Sequence, residues 1–128
     1  MTTRKEIYRE MEKMTGSVPS FFKRLPDTEL EHEWKLFAES LSDKGPIPPK
    51  YTELMGLAVA SAIQCPFCIY AHTQFAKVFG ATDAEIERAV YAAKHTAGWS
   101  TYIAGLGTTL EEFKKEIDQA CEHMRSQR

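Results

Sequence analysis

Apolar positions recur every three to four residues along most of the chain, and stretches alternating with a period of two are scarce. That pattern predicts an all-α fold of about six to seven helices. A first, polar helix is expected over Arg4–Met14, with Ile7, Met11 and Met14 on one stripe. Gly16 ends it, and VPSFFKRLP reads as a short packed connector with Phe21, Phe22 and Leu25 turned inward. Asp27 is placed to cap a second helix reaching about Leu41, whose apolar face is Leu30, Trp34, Phe37, Ala38 and Leu41.

SDKGPIPPK then breaks the pattern, because a glycine and three prolines cannot continue a helix. The segment is short and apolar helices flank it, so it reads as a turn inside a single domain spanning 1–128. A third helix is expected from Pro49 or Lys50 to Ile63, a tight turn at Gln64, and a fourth helix from Cys65-Pro66 to Phe79, with Gly80 as its stop. Thr82-Asp83-Ala84-Glu85 has the form of a capping box and opens a fifth helix to about Thr96. Gly98–Leu106 reads as a short helix of its own. Thr109-Leu110-Glu111-Glu112 repeats the capping form before a charged terminal helix. The helices on either side of Gln64 would then make an antiparallel hairpin at the centre of the fold.

Composition narrows the function only a little. The 128 residues, 43% hydrophobic and 27% charged, suit one ordinary globular domain. A net charge of −2 with no basic block argues against nucleic acid or a membrane as partner. The first residues, MTTRKEIYREMEKM, contain no apolar core of a secretory signal. The most apolar run, Leu54–Ile63, is about half of the ~20 residues that a membrane span requires. A soluble, cytoplasmic protein is the expectation. Three cysteines are an odd number for a secreted disulfide framework. A close cysteine pair in a reducing compartment points to redox chemistry or a metal.

That pair is Cys65 and Cys68 in C-x-x-C. Proline favours the first helical position, so Pro66 makes Cys65 the expected N-cap and Cys68 the third helical residue. Free N–H groups and the positive end of the helix dipole stabilise thiolate, the reactive form of cysteine. The spacing also lets the two sulfurs close a small disulfide ring. His72 lies four residues beyond Cys68, one turn along the same face, where its ring can take the Cys68 proton directly or through a water. Glu53 is the charged residue in the otherwise apolar YTELMGLAVASAI. With a rise of ~1.5 Å per residue, Glu53 sits ~16 Å before the Gln64 turn and His72 ~12 Å after it. The two can meet across the hairpin, and a carboxylate beside an imidazole fixes its tautomer.

Blander readings compete at each position. A buried pair of structural thiols would explain Cys65 and Cys68 without chemistry. Zinc would take both cysteines and His72, with a fourth ligand from Glu53, His95, His123 or another subunit. Glu53 alone could be a solvated carboxylate near a helix start. His95 reads as flanking the end of the fifth helix, His32 and His123 as solvated, and Cys121 as a bystander thiol. Phe75 and Phe79 read as core or pocket wall, Trp34 and Trp99 as core or interface. The small residues Gly56, Ala58, Ala60, Ser61 and Ala62 permit close helix approach.

The segment from about Pro46 to Ala97 resembles the carboxymuconolactone-decarboxylase-like superfamily, in its AhpD-type alkylhydroperoxidase branch. The resemblance rests on Glu53, eleven residues, Cys65-Pro66-Phe67-Cys68, three residues and His72. The flanks IPPKYTELMGLAVA and GATDAEIERAVYAA agree with it. It implies an all-helical fold assembling as trimers or hexamers, and reduction of peroxides or disulfides. It further implies that Cys68 attacks, Cys65 resolves, and Glu53 and His72 relay protons. The chain departs from the branch at Phe67, where AhpD carries a second histidine, and it is short enough to be a single-repeat relative.

The reading is therefore a thiol-dependent oxidoreductase with catalytic Cys68, Cys65, His72 and Glu53. Its substrate would be a small peroxide or disulfide, with a dithiol as reductant and no bound cofactor or metal required. A lyase using Glu53 and His72 without redox, and a zinc-stabilised scaffold, are the competing classes. The apolar, small-residue LMGLAVASAI also exceeds what one hairpin can cover, so a homo-oligomer of at least three chains is expected.

Overall fold

Helix boundaries trace to local signals, and among residues 2–128, which the computed structural model describes, there are seven helices and no strand. α1 is Arg4–Thr15, α2 Ser20–Lys23, α3 Asp27–Ser40, α4 Pro49–Ala62, α5 Pro66–Val78, α6 Asp83–Gly105 and α7 Leu110–Ser126. Thr3 opens α1 and Thr82 opens α6, each through a reciprocal capping box with a glutamate three residues on. Thr109 accepts the Glu112 N–H at the start of α7, a side-chain cap without the return bond expected from the sequence. Gly16 ends α1 in the left-handed region, at φ 80°.

Four local expectations are corrected. Asp27 is the first residue of α3 rather than its cap, because Pro26, held extended at ψ 157°, takes the cap position. Phe21 and Met14 are exposed rather than inward; one turn of α2 can bury only one of two adjacent rings, and Phe22 takes the inner place. The sequence places a helix break near Gly98, yet α6 runs 23 residues straight through it. A single glycine weakens a helix by roughly 1 kcal/mol but does not end it, and no proline follows to stop the chain.

Two packed units result. α1 and α3 close on Ile7, Met11, Phe22, Leu30 and Trp34, with the Phe22 ring edge-on to Trp34 at 5.8 Å and to Phe37 at 5.3 Å. α4 packs along both α5 and α6. Phe37 meets Phe75 edge-on at 6.2 Å and so links the first unit to α5. The outer half of α6 and all of α7 bury no residue: Trp99, Tyr102, Leu106, Leu110, Ile117 and Met124 are exposed. No described helix is long and apolar enough to cross a membrane.

Candidate active site

The expected hairpin forms, and its turn fixes the first cysteine. α4 closes in a Schellman motif: the Cys65 N–H reaches the Ala60 carbonyl at 3.0 Å and the Gln64 N–H reaches Ser61 at 3.2 Å. Gln64 occupies the left-handed position at φ 56°, where glycine is usual. The residue that ends this motif is also the N-cap of α5, so the close of one helix sets the opening of the next.

Cys65 caps α5 through sulfur: its Sγ accepts the Cys68 N–H at 3.3 Å. Both thiols are free and half-buried. Their acidities are unequal. The Cys68 thiol hydrogen bond and the Cys68 N–H, with the Phe67 N–H, pull the Cys65 thiol below the ordinary cysteine range. Cys68 is pushed above it by donating to Cys65, by desolvation and by the Cys65 charge. Of the two thiols, Cys65 is therefore the first to ionise. The helix start favours the first cysteine, and Cys68 needs a base.

Glu53 and His72 meet as the arithmetic of the hairpin requires. His72 Nδ1 lies 2.7 Å from Glu53 Oε2. A carboxylate only accepts, so the proton belongs on Nδ1 and Nε2 is left with its lone pair. Glu53 is 2% exposed in the middle of an apolar helix, and this imidazole is its hydrogen-bond partner. The ring keeps no bond to either sulfur, but it stands one turn beyond Cys68 on α5. Phe67, between the cysteines, is 83% exposed and offers no proton carrier.

The remaining candidates separate from this group. His95 lies inside α6 rather than at a helix end, and its Nε2 accepts the Trp99 indole N–H at 3.0 Å. Cys121 lies on α7. Among the described residues no three His, Cys, Asp or Glu side chains converge to hold a metal ion, so the zinc arrangement lacks a ligand set. An apolar groove of about 530 Å³ runs between α4 and α6, lined by Tyr51, Leu54, Met55, Ala58 and Ala89, away from the thiols. Sequence reasoning misses the part played by Gly56, whose backbone lies under the His72 ring. Its one signal is its place among the small residues that permit close helix approach.

Comparison with known proteins agrees with this fold. Residues 28–111 match the pattern of the carboxymuconolactone decarboxylase family. An alkyl hydroperoxide reductase of Mycobacterium tuberculosis is 30% identical over 109 residues, which are 80% of this chain and 31% of that protein. The chain thus spans about a third of that relative's length. The core of alkylhydroperoxidase AhpD from Rhodospirillum rubrum superposes with a TM-score of 0.73 at 21% identity, over 84% of this chain and 82% of that one. That likeness establishes the all-helical AhpD-type fold.

Proposed function

The chain belongs to the carboxymuconolactone decarboxylase family, and from that premise we propose that it is a cytoplasmic dithiol oxidoreductase reducing peroxides or disulfides through Cys65 and Cys68. One observation carries the reading: a buried glutamate bonded to a histidine one turn from a free cysteine pair at a helix start. The alkyl hydroperoxide reductase relative supports peroxide as the substrate class.

In the proposed cycle His72 Nε2 takes the Cys68 proton, with Nδ1–H held on Glu53. The Cys68 thiolate attacks the outer peroxide oxygen, the O–O bond breaks, and the alkoxide leaves as alcohol with the proton His72 carries. Cys68 is now a sulfenic acid. Cys65, the more readily ionised thiol, gives up its proton and attacks the Cys68 sulfur; hydroxide leaves and takes up a proton in exchange to become water, and a Cys65–Cys68 disulfide remains. A dithiol donor returns two electrons and two protons. With a disulfide substrate the attack falls on sulfur and a thiol leaves. The unequal acidities suit this division, since the thiol that is harder to ionise has His72 one turn along the same helix. A lyase reaction through Glu53 and His72 alone would leave the two cysteines without a task.

We also propose that the working form is a homo-oligomer of at least three chains. The chain exposes 9969 Å², whereas a folded monomer of 14.5 kDa should expose about 6,900 Å². The excess of about 3,000 Å² is on the scale of obligate interfaces. Assembly would also cover Phe67 and Tyr70 beside the thiols.

Single-turnover oxidation of the two serine variants tests the roles. Cys68→Ser is expected to abolish turnover. Cys65→Ser is expected to react once and stop as a sulfenic acid or mixed disulfide. The reverse pattern would make Cys65 the nucleophile, as its lowered pKa alone would have it.

A further inference from the structure

α4 has one glycine, Gly56, in its middle turn. Its φ is not positive, so no backbone conformation demands glycine there. Glycine weakens a helix relative to alanine, and a second feature must account for it. A Cβ added to Gly56 would lie 2.5 Å from His72 Cε1, 2.6 Å from Nδ1 and 2.8 Å from Nε2. Carbon contacts settle near 3.5–4.0 Å. At each of the other glycines an added Cβ meets nothing within 4 Å. All three atoms belong to one rigid ring, so a side chain here displaces the whole imidazole rather than a flexible tip.

Glu53 stands three residues earlier on the same face of α4. Carboxylate and gap are therefore neighbours, and the ring that fills the gap presents Nδ1 to Oε2 at 2.7 Å. Lifting the ring off the backbone by about 1 Å would disturb that bond, whose favourable distances span only about 0.5 Å. We propose that Gly56 is a positioning residue: the missing side chain is the seat that couples His72 to Glu53 and so sets which ring nitrogen is free for Cys68. The inference rests on the reading of Glu53 and His72 as the proton carriers, and its test is separable from that reading.

The experiment compares wild type, Gly56→Ala, His72→Ala and the double variant. Ring ¹H–¹⁵N spectra of reduced protein report the tautomer without any turnover. Wild type is expected to hold His72 as the Nδ1–H form, and Gly56→Ala to lose it and mix tautomers. The rate of peroxide-driven thiol oxidation should fall at least tenfold in Gly56→Ala, in kcat rather than KM. In the His72→Ala background the same alanine should leave the rate unchanged and raise Tm by a few degrees, since only helix propensity remains. Folding of the double variant where Gly56→Ala alone fails to fold would support the seat. A retained tautomer in Gly56→Ala, an equal slowing in both backgrounds, or failure of both alanine variants to fold would overturn it. Wild type that never reduces peroxide while the tautomer result holds would instead remove the redox reading and leave the seat standing.

Discussion

The α4–α5 hairpin and the α6–α7 arm break the ordinary rule of burial in opposite directions. The hairpin takes a carboxylate inside and satisfies it with an imidazole. The arm leaves Trp99, Tyr102, Leu106 and Leu110 in solvent. A buried charge is expensive unless paired, so a chain that retains Glu53 among apolar neighbours points to chemistry at that site. A large exposed apolar surface is equally uncommon in monomers, so the arm points to a missing neighbour. On α7, Leu110, Phe113, Ile117, Ala120 and Met124 follow one another at intervals of three and four, the spacing of a helix-packing seam. The Glu53 carboxylate is satisfied within its own chain, whereas the arm would be covered by a second copy in the oligomer proposed above.

The comparison breaks most visibly in the hairpin. His72→Ala should slow peroxide-driven thiol oxidation by ~10²- to 10⁴-fold, the usual worth of a positioned general base. Stopped-flow rates at constant light-scattering mass would check it; an unchanged rate would reduce the buried pair to a structural role. For the arm, Ile117→Asp with Trp99→Asp should bring the solution mass down to the 14.5 kDa of one chain, because a charge buried at an interface is strongly disfavoured. Wild type should scatter at three times that mass or more. If both proteins run as monomers, the arm has no partner.

A smaller effect concerns stability. His72→Leu leaves the Glu53 carboxylate buried without its partner and should cost about 1–3 kcal/mol in denaturant unfolding. The His72 side chain is 33% exposed, which keeps the effect below that of a fully buried pair. The smallest effect is in pH. Cys65 is lowered, so near neutrality it carries more thiolate than a free thiol does, and iodoacetamide should label it first. Cys68 is raised, so its labelling should climb only at higher pH. Cys65→Ala removes both the hydrogen bond and the charge that raise Cys68, and should move that labelling to lower pH. Equal labelling of both cysteines at every pH would contradict the difference in acidity.

Much of the site is legible in the amino-acid sequence, because it obeys distances that a helix imposes. Glu53 and His72 are set by rise and turn, and Cys65 is set as N-cap by Pro66. Gly56 is not legible there, since a gap has meaning only once the ring that fills it is known. Gly98 reads falsely as a break because local punctuation is weak against a long helix. Phe21 reads falsely as inward because α2 is a single turn, too short for periodicity to choose between adjacent aromatic residues. The difference in acidity between the thiols also lies beyond spacing, which treats the pair as equals; the capping geometry of Cys65 separates them.

The central claim is that Cys65 and Cys68 act as one redox pair. Its most direct test is peptide mass mapping of the purified protein after one equivalent of peroxide, before and after a dithiol. The account predicts loss of two thiols per chain in an intramolecular Cys65–Cys68 disulfide, Cys121 left free, and full return with the dithiol. A main product that contains Cys121, or a Cys65–Cys68 pair that peroxide leaves reduced, would contradict it.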